Sequence, residues 1–435
     1  MSELNFNVEV ADRYLAALRE RPIGATKGLL GASQLTAAQL VAAGVRLGDP
    51  RLSTPLAVLR ASALRHNVDL LQRWVAERGA VLAPHVKTTM SPEVVRLQLD
   101  AGAWGVTVAN CVQAQVMVDL GVGRILVANE IVDPGDLAWL TATLSAPGGP
   151  ELLCYADSET GVQLLAAAAP DDGAALGVLV EAGAPGGRGG VRSLEQAAVV
   201  ASAVARSRGL VLRGAAGFEG ILGHDRSLTS LDRVRDFCLF LRSTAEVVGR
   251  AVDRQAGAQL IISAGGSVFF DEVASCLAPE LADRVTPLVV LRSGGYVSHD
   301  HGHLGHISPL QGGPEPFQAA LEVYGRVLSI PEPGLGLVNV GKRDVGSDIA
   351  LPEVVRIADP DGSSPRPAPD LSVRQLNDQH AYIHRRDGGP IDDVLSVGAI
   401  VVLGIAHPCT TFDRWSIIPI IDDDDRVVDV AHTFF

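Results

Sequence analysis

From Thr54 the chain falls into a rhythm. Short apolar, β-branched runs alternate with longer stretches whose apolar positions recur every three or four residues. The runs are VLAPHVK (81–87), GVTVAN (105–110), RILVAN (124–129), LLCYA (152–156), LGVLVEAG (176–183), GAAGFEG (214–220), QLIISAGG (259–266) and LVVLRSGGYV (288–297). Between them lie SPEVVRLQLDAG, NCVQAQVMVDLG, SETGVQLLAAAA and SLEQAAVVASAVARSRG, several closing on the Gly that helix C-termini favour. Eight strands separated by helices predict a (β/α)8 barrel; a doubly wound open sheet is the other arrangement of the same pattern. Strands apolar along their whole length suit a sheet covered by helices.

After about residue 312 the rhythm changes. ALEVYGRVLSI, GLVNVG, EVVRI, SVRQL, AIVVLGIAHPC, SIIPIID and RVVDVAHTF read as strands with no helices between them, and ADPDGSSPRPAPD reads as a polar, Pro-rich loop. The pattern predicts an N-terminal arm over 1–50, the barrel over 51–311 and a C-terminal all-β domain over 312–435.

Charge and composition narrow the partners. With a formal net charge of −14 the chain is a poor partner for nucleic acid or anionic lipid, which both need a positive patch. No apolar run reaches the roughly 18 residues of a membrane span, and MSELNFNVEVADRYLAALRER has no basic segment followed by an apolar one, so a cytoplasmic protein is expected. Five cysteines, sparse and odd in number, argue against a disulfide framework.

The candidate chemistry starts at Lys87, the last residue of the first run, where Ser91, Pro92 and Glu93 then open a helix. In a (β/α)8 barrel catalytic side chains stand at C-terminal strand ends. A lysine desolvated there has a lowered pKa and can attack a carbonyl to form an imine. Read locally, it is also a surface lysine at a strand end. His407 and Cys409 flank Pro408 after an apolar strand; on one strand face an imidazole and a thiolate would suit Zn²⁺, with positions left open for water and substrate. A bare His-x-Cys also fits a buried free cysteine beside a hydrogen-bonded histidine. The SHDHGHLGH segment gathers His299, Asp300, His301, His303 and His306, in a spacing that fits no standard zinc pattern.

The order PHVKT, EAGAPGGRGGVR, SAGGS, LRSGGYVSHDHG and GIAHPCTTFDRW resembles the fold-type III pyridoxal-phosphate enzymes, the alanine racemase-like group. Within it the chain is similar to the D-serine dehydratase / D-threonine aldolase branch, which includes bacterial D-serine deaminases. The resemblance implies that Lys87 carries pyridoxal 5'-phosphate as an imine, with His85 a cofactor neighbour. It implies that Arg188 lies near the cofactor's phenolic oxygen and the substrate carboxylate. Gly265, Gly266 and Ser267 would hold the phosphate, with Gly294, Gly295 and Tyr296 on its second side. Glu219 is expected either to face the pyridine nitrogen or to pair with a loop arginine. His407 and Cys409 would hold Zn²⁺, or Mn²⁺ or another divalent metal, and Asp413 is a candidate to orient the histidine. Relatives carry a further histidine and lysine where this chain has Thr89 and Met90, which leaves the substrate open.

The expected function is a lyase on small D-β-hydroxy amino acids: a D-serine or D-threonine dehydratase releasing a 2-oxo acid and ammonia. Retro-aldol cleavage to glycine and an aldehyde is the close alternative. A non-catalytic pyridoxal-phosphate carrier and a metal hydrolase built on the histidine segment are the others. By resemblance the chain is expected to pair as a homodimer.

Overall fold

The apolar runs form, in a computed structural model that describes residues 6–170, 173–251, 259–282 and 285–435, two sheets of different character. By internal packing the chain divides into two units. One comprises residues 1–12, 71–87 and 98–294; the other comprises 13–70, 88–97 and 295–435.

A first strand, β1 (Leu56–Arg60), belongs to the second unit. The eight expected runs give β2 (Val81–Leu82), β3 (Val106–Val108), β4 (Arg124–Glu130), β5 (Glu151–Ala156), β6 (Leu176–Ala182), β7 (Leu210–Gly217), β8 (Ile261–Ala264) and β9 (Leu288–Leu291). Neighbours are parallel throughout, in the order β2-β9-β8-β7-β6-β5-β4-β3. The seam between β2 and β3 closes through Trp104 N–H to Leu82 O (2.7 Å), Thr107 N–H to Pro84 O (2.9 Å) and a parallel bridge from His85 to Thr107. The ring is therefore complete, a (β/α)8 barrel and not an open sheet. Inward positions from nearly every strand fill it: Ala83, Leu126, Leu153, Leu179, Ala216, Ile261 and Val290.

Local chemistry starts the covering helices. The side chains of Asn110, Asp133, Ser158, Ser193 and Ser227 accept backbone N–H groups at the starts of Cys111–Asp119, Pro134–Ser145, Glu159–Ala168, Leu194–Arg206 and Leu228–Gly249. Each cap contributes about 1 kcal/mol and fixes where the chain turns from strand to helix.

The second unit is antiparallel but for one contact. It holds β10 (Leu321–Glu332), β11 (Leu335–Val338), β12 (Glu353–Ala358), β13 (Arg366–Pro367), β14 (Leu371–Leu376), β15 (Ala381–Arg385), β16 (Ile400–Gly404), β17 (Ile417–Ile421) and β18 (Val427–His432). The main order is β13-β12-β16-β10-β1-β17-β18, with β11, β15 and β14 branching from β10. The all-β expectation holds; β13 and β15 were not legible as strands.

The expected divisions at 50/51 and 311/312 are not where the chain parts. β1 lies between β10 (antiparallel) and β17 (parallel), and Ile23, Leu29, Leu40 and Val45 of the arm pack with Val58, Val402 and Val430. Residues 88–97 join the same unit because Glu93, buried, binds His432 (Oε1 to Nδ1, 2.7 Å) and Met90 O accepts from Phe434 N–H (3.1 Å). Among the described residues no helix is long and apolar enough to cross a membrane.

Candidate active site

The C-terminal ends of the barrel strands surround a cavity of about 230 Å³. His85 and Lys87 reach it after β2, Glu130 from β4, Tyr155 from β5, Glu181 from β6, Arg188 from the loop after β6, Phe218 after β7, Gly266 after β8 and Arg292 after β9. Lys87 stands on a single 3-10 turn, Val86–Thr88, and not on a strand, because β2 ends at Leu82. Its side chain is exposed at the cavity instead of desolvated as expected.

His85 Nδ1 is buried without a hydrogen-bond partner. Burial, then the charges of Lys87, Arg292 and Arg188, hold this imidazole well below its ordinary pKa, so it is neutral. A side chain at Gly294 would come within 2.3 Å of His85 O, so only glycine lets the LRSGGYV segment lie against PHVK. The Arg188 guanidinium sits 4.5 Å over the Phe218 ring. The Tyr155 hydroxyl is buried and unpartnered, and burial raises its pKa.

Glu219 lies against the SAGGS segment. Its carboxylate is fully buried and takes both glycine amides of SAGGS, Gly265 N–H at 3.1 Å and Gly266 N–H at 2.6 Å. Among the described residues it makes no ion pair with a loop arginine; each oxygen accepts one hydrogen bond and keeps a lone pair. The two amides expected to receive a phosphate are the ones it holds, while Ser267 follows, half-buried. Arg292 was missed by sequence reasoning. Buried, it donates to Ser263 Oγ (2.9 Å) and Gly217 O (2.5 Å), tying β7, β8 and β9 together at the cavity floor. Its signal was its place in LRSGGYV, two residues before Gly294.

The second unit carries Gly295 and Tyr296 on a 3-10 turn, with Tyr296 buried 6.1 Å from the Phe317 ring. It also carries the His407/Cys409 pair. β16 ends at Gly404 and Cys409 opens the short helix Cys409–Phe412, so the pair meets across a turn and not along a strand face. The two side chains are hydrogen-bonded. Asp348 Oδ2 lies 2.7 Å from His407 Nδ1, and Thr410 Oγ1 holds the other carboxylate oxygen at 2.6 Å. Burial depresses the His407 pKa, but Cys409 and Asp348 outweigh it and raise it to about 9. Asp348, not Asp413, orients the histidine; Asp413 pairs with Arg414 at 2.7 Å. Thr88 Oγ1 lies 3.4 Å from Cys409 Sγ, and Thr88 is the residue after Lys87 in the chain.

The histidine segment does not converge. His299 is stacked on Phe317 and held to about pKa 4 by burial; Asp300 accepts from Leu304 N–H (2.8 Å); His306 is exposed, 3.7 Å from Glu353. Among the described residues these groups form no metal-ligand cluster.

The residues fit the expected groups. Lys87, the unpartnered His85 and Tyr155 atoms, and two arginines surround a cavity suited to an aromatic aldehyde with acidic substituents. A thiol beside an imidazole whose other nitrogen meets a carboxylate is a donor set for a divalent metal.

Comparisons with known proteins find relatives over most of the chain. The model of the alanine racemase N-terminal domain matches residues 59–259, and that of the putative serine dehydratase domain matches residues 320–421. The chain is 25% identical over 382 residues to a D-threonine aldolase of an Arthrobacter species, covering 86% of this chain and 91% of that one. It is 28% identical over 254 residues to D-threo-3-hydroxyaspartate dehydratase of Delftia sp. strain HT23, covering 57% and 62%. The crystal structure of D-threonine aldolase from Filomicrobium marinum superposes with a TM-score of 0.72 at 23% identity, covering 90% of this chain and 97% of that one.

Proposed function

From the chain's membership of the fold-type III pyridoxal-phosphate lyases, we propose that it dehydrates a small D-β-hydroxy amino acid, D-serine or D-threonine, to a 2-oxo acid and ammonia. The observation that carries this reading is Lys87 at the rim of a cation-rich barrel cavity, with the next residue, Thr88, against Cys409.

Pyridoxal phosphate supplies an electron sink for a substrate carbanion, and a divalent metal supplies a Lewis acid for the β-oxygen. Lys87, Arg188, Arg292 and neutral His85 would hold the first; His407 and Cys409 would hold the second. A thiolate with an imidazole favours Zn²⁺ over Mg²⁺ or Mn²⁺. The Lys87 amine would take the proton from Cα. Arg188 offers a cation for the substrate carboxylate, and its stacking on Phe218 restricts where that carboxylate can sit. Asp348 fixes the His407 ring and leaves Nε2 for the metal. The reading includes a homodimer in the cytoplasm; the five cysteines, none of them in a disulfide, suit a reducing compartment.

Retro-aldol cleavage is the second reading, favoured by similarity to the Arthrobacter aldolase. Borohydride reduction of the purified protein and peptide mapping should label Lys87; an unlabelled Lys87 would sink both readings. A panel of D-β-hydroxy amino acids, with and without chelator, then separates them. A 2-oxo acid with ammonia supports dehydration, and glycine with an aldehyde refutes it.

A further inference from the structure

We propose that Glu130, Asp157 and Glu181 form a binding site for a hard divalent cation inside the barrel, built from different residues than His407 and Cys409. The inference does not rest on the proposed reaction, although Glu130 and Glu181 line the same cavity as Lys87 and Arg188.

Strand alternation brings the three carboxylates together. Leu126 and Ala128 on β4, Tyr155 on β5 and Leu179 on β6 belong to the interior set. Two residues beyond Ala128, Tyr155 and Leu179 the same face carries Glu130, Asp157 and Glu181. Glu130 pairs with Tyr155 after a register shift that follows Leu126, and Ala156 pairs with Val180, one step before Asp157 and Glu181. One ligand oxygen from each residue lies within 4.8 Å of the others.

The second observation is that the site is covered yet unsatisfied. Glu181 is only 8% exposed, and its Oε2 has no hydrogen-bond partner; Glu130 Oε1 is also buried and unpartnered. The loop carrying Arg188 lies over them. Gly190 N–H donates to Asp157 Oδ2 (3.0 Å), and a side chain at Gly189 would come within 2.7 Å of Glu181 Oε2. Buried carboxylate oxygens this close repel one another and need a proton or a cation between them. Burial, then the Glu130 charge and a hydrogen bond with Glu130, push the Glu181 pKa up to about 8, so near neutral pH a proton is held there and a cation must displace it. Three carboxylates with no nitrogen or sulfur select Mg²⁺, Mn²⁺ or Ca²⁺ over Zn²⁺. A cation here would fasten the Arg188 loop to the ends of three adjacent strands.

The test titrates Mn²⁺ into the full chain carrying His407→Ala and Cys409→Ala, after chelator treatment and desalting, and follows free Mn²⁺ by electron paramagnetic resonance. One Mn²⁺ per chain is expected. Adding Glu181→Gln or Asp157→Asn, each nearly isosteric, should weaken it by about tenfold or more, and thermal melts with and without Mn²⁺ should lose their difference in those variants. No Mn²⁺ bound to the His407→Ala/Cys409→Ala chain would overturn the proposal and assign the trio to a proton alone. So would unchanged affinity in both further variants, or binding lost only where circular dichroism shows the variant unfolded.

Discussion

Replacing Glu219 by Gln separates the role the structure gives it from the one its sequence suggested. The carboxylate is fully buried and accepts one N–H from each of Gly265 and Gly266. Hydrogen bonds to a charged group contribute about 1.5–3 kcal/mol each. Gln keeps one acceptor and turns an NH2 donor toward the other amide, so one bond is lost and two buried donors face each other. The cost should be about 2–4 kcal/mol, or about 5–15 °C in melting temperature for a unit of this size. Because the segment held is SAGGS, affinity for pyridoxal phosphate should fall in parallel. The assays are thermal denaturation of the cofactor-free protein and a fluorescence titration with the cofactor. A Glu219 that only faced a ring nitrogen would change the absorption of the bound cofactor and leave the cofactor-free melt alone. That outcome would refute the loop-holding role.

Asp348→Ala should weaken metal binding by roughly 10–100-fold, read by competition with a chromogenic chelator, since His407 loses its orienting carboxylate; an unchanged affinity would remove Asp348 from the site. Glu322, buried between Arg356 (2.6 and 2.7 Å) and Arg60 (3.2 Å), should cost about 3–5 kcal/mol as Glu322→Ala, measured by urea denaturation, because Arg356 loses its counter-charge and Arg60 keeps only the half-exposed Asp425. Burial opposes ionisation of Glu322, but those arginines prevail and hold its pKa below the usual value. Its contribution is therefore complete above the unfolded carboxylate's value of about 4.3 and is lost as pH falls through the lower folded value, a loss the Ala variant should not show. Cys276, held to about pKa 7 chiefly by its hydrogen bond with Cys238, should be alkylated by iodoacetamide at about pH 7.5 well before Cys111, which burial pushes up to about 12; peptide mapping by mass spectrometry reads the order.

The hydrophobic rhythm located all eight barrel strands, because period and run length record which face of an element is buried, and that is a local property. Lys87 and the His407/Cys409 pair were visible for a similar reason: each sits in a short motif whose residue types carry the chemistry. Their backbone settings were not. Lys87 is on a 3-10 turn and Cys409 opens a helix, since the strands before them end four residues or more earlier than the apolar runs suggest. Strand β15 escaped because AYIHR mixes polar and apolar positions, and residues 56–60 fell inside the expected barrel span without being read as a strand, because only the partners of β1 place it elsewhere.

What the chain alone determined, then, is the succession of elements and the identity of its reactive side chains. Tertiary structure decided their partners. Asp348 reaches His407 across 59 residues and Glu219 reaches Gly265 across 46. Glu130, Asp157 and Glu181 meet only because β4, β5 and β6 are neighbours in the barrel. A periodic pattern says that a residue points inward. Which other inward residue it faces depends on barrel closure and strand register, and these are fixed by many distant contacts acting together.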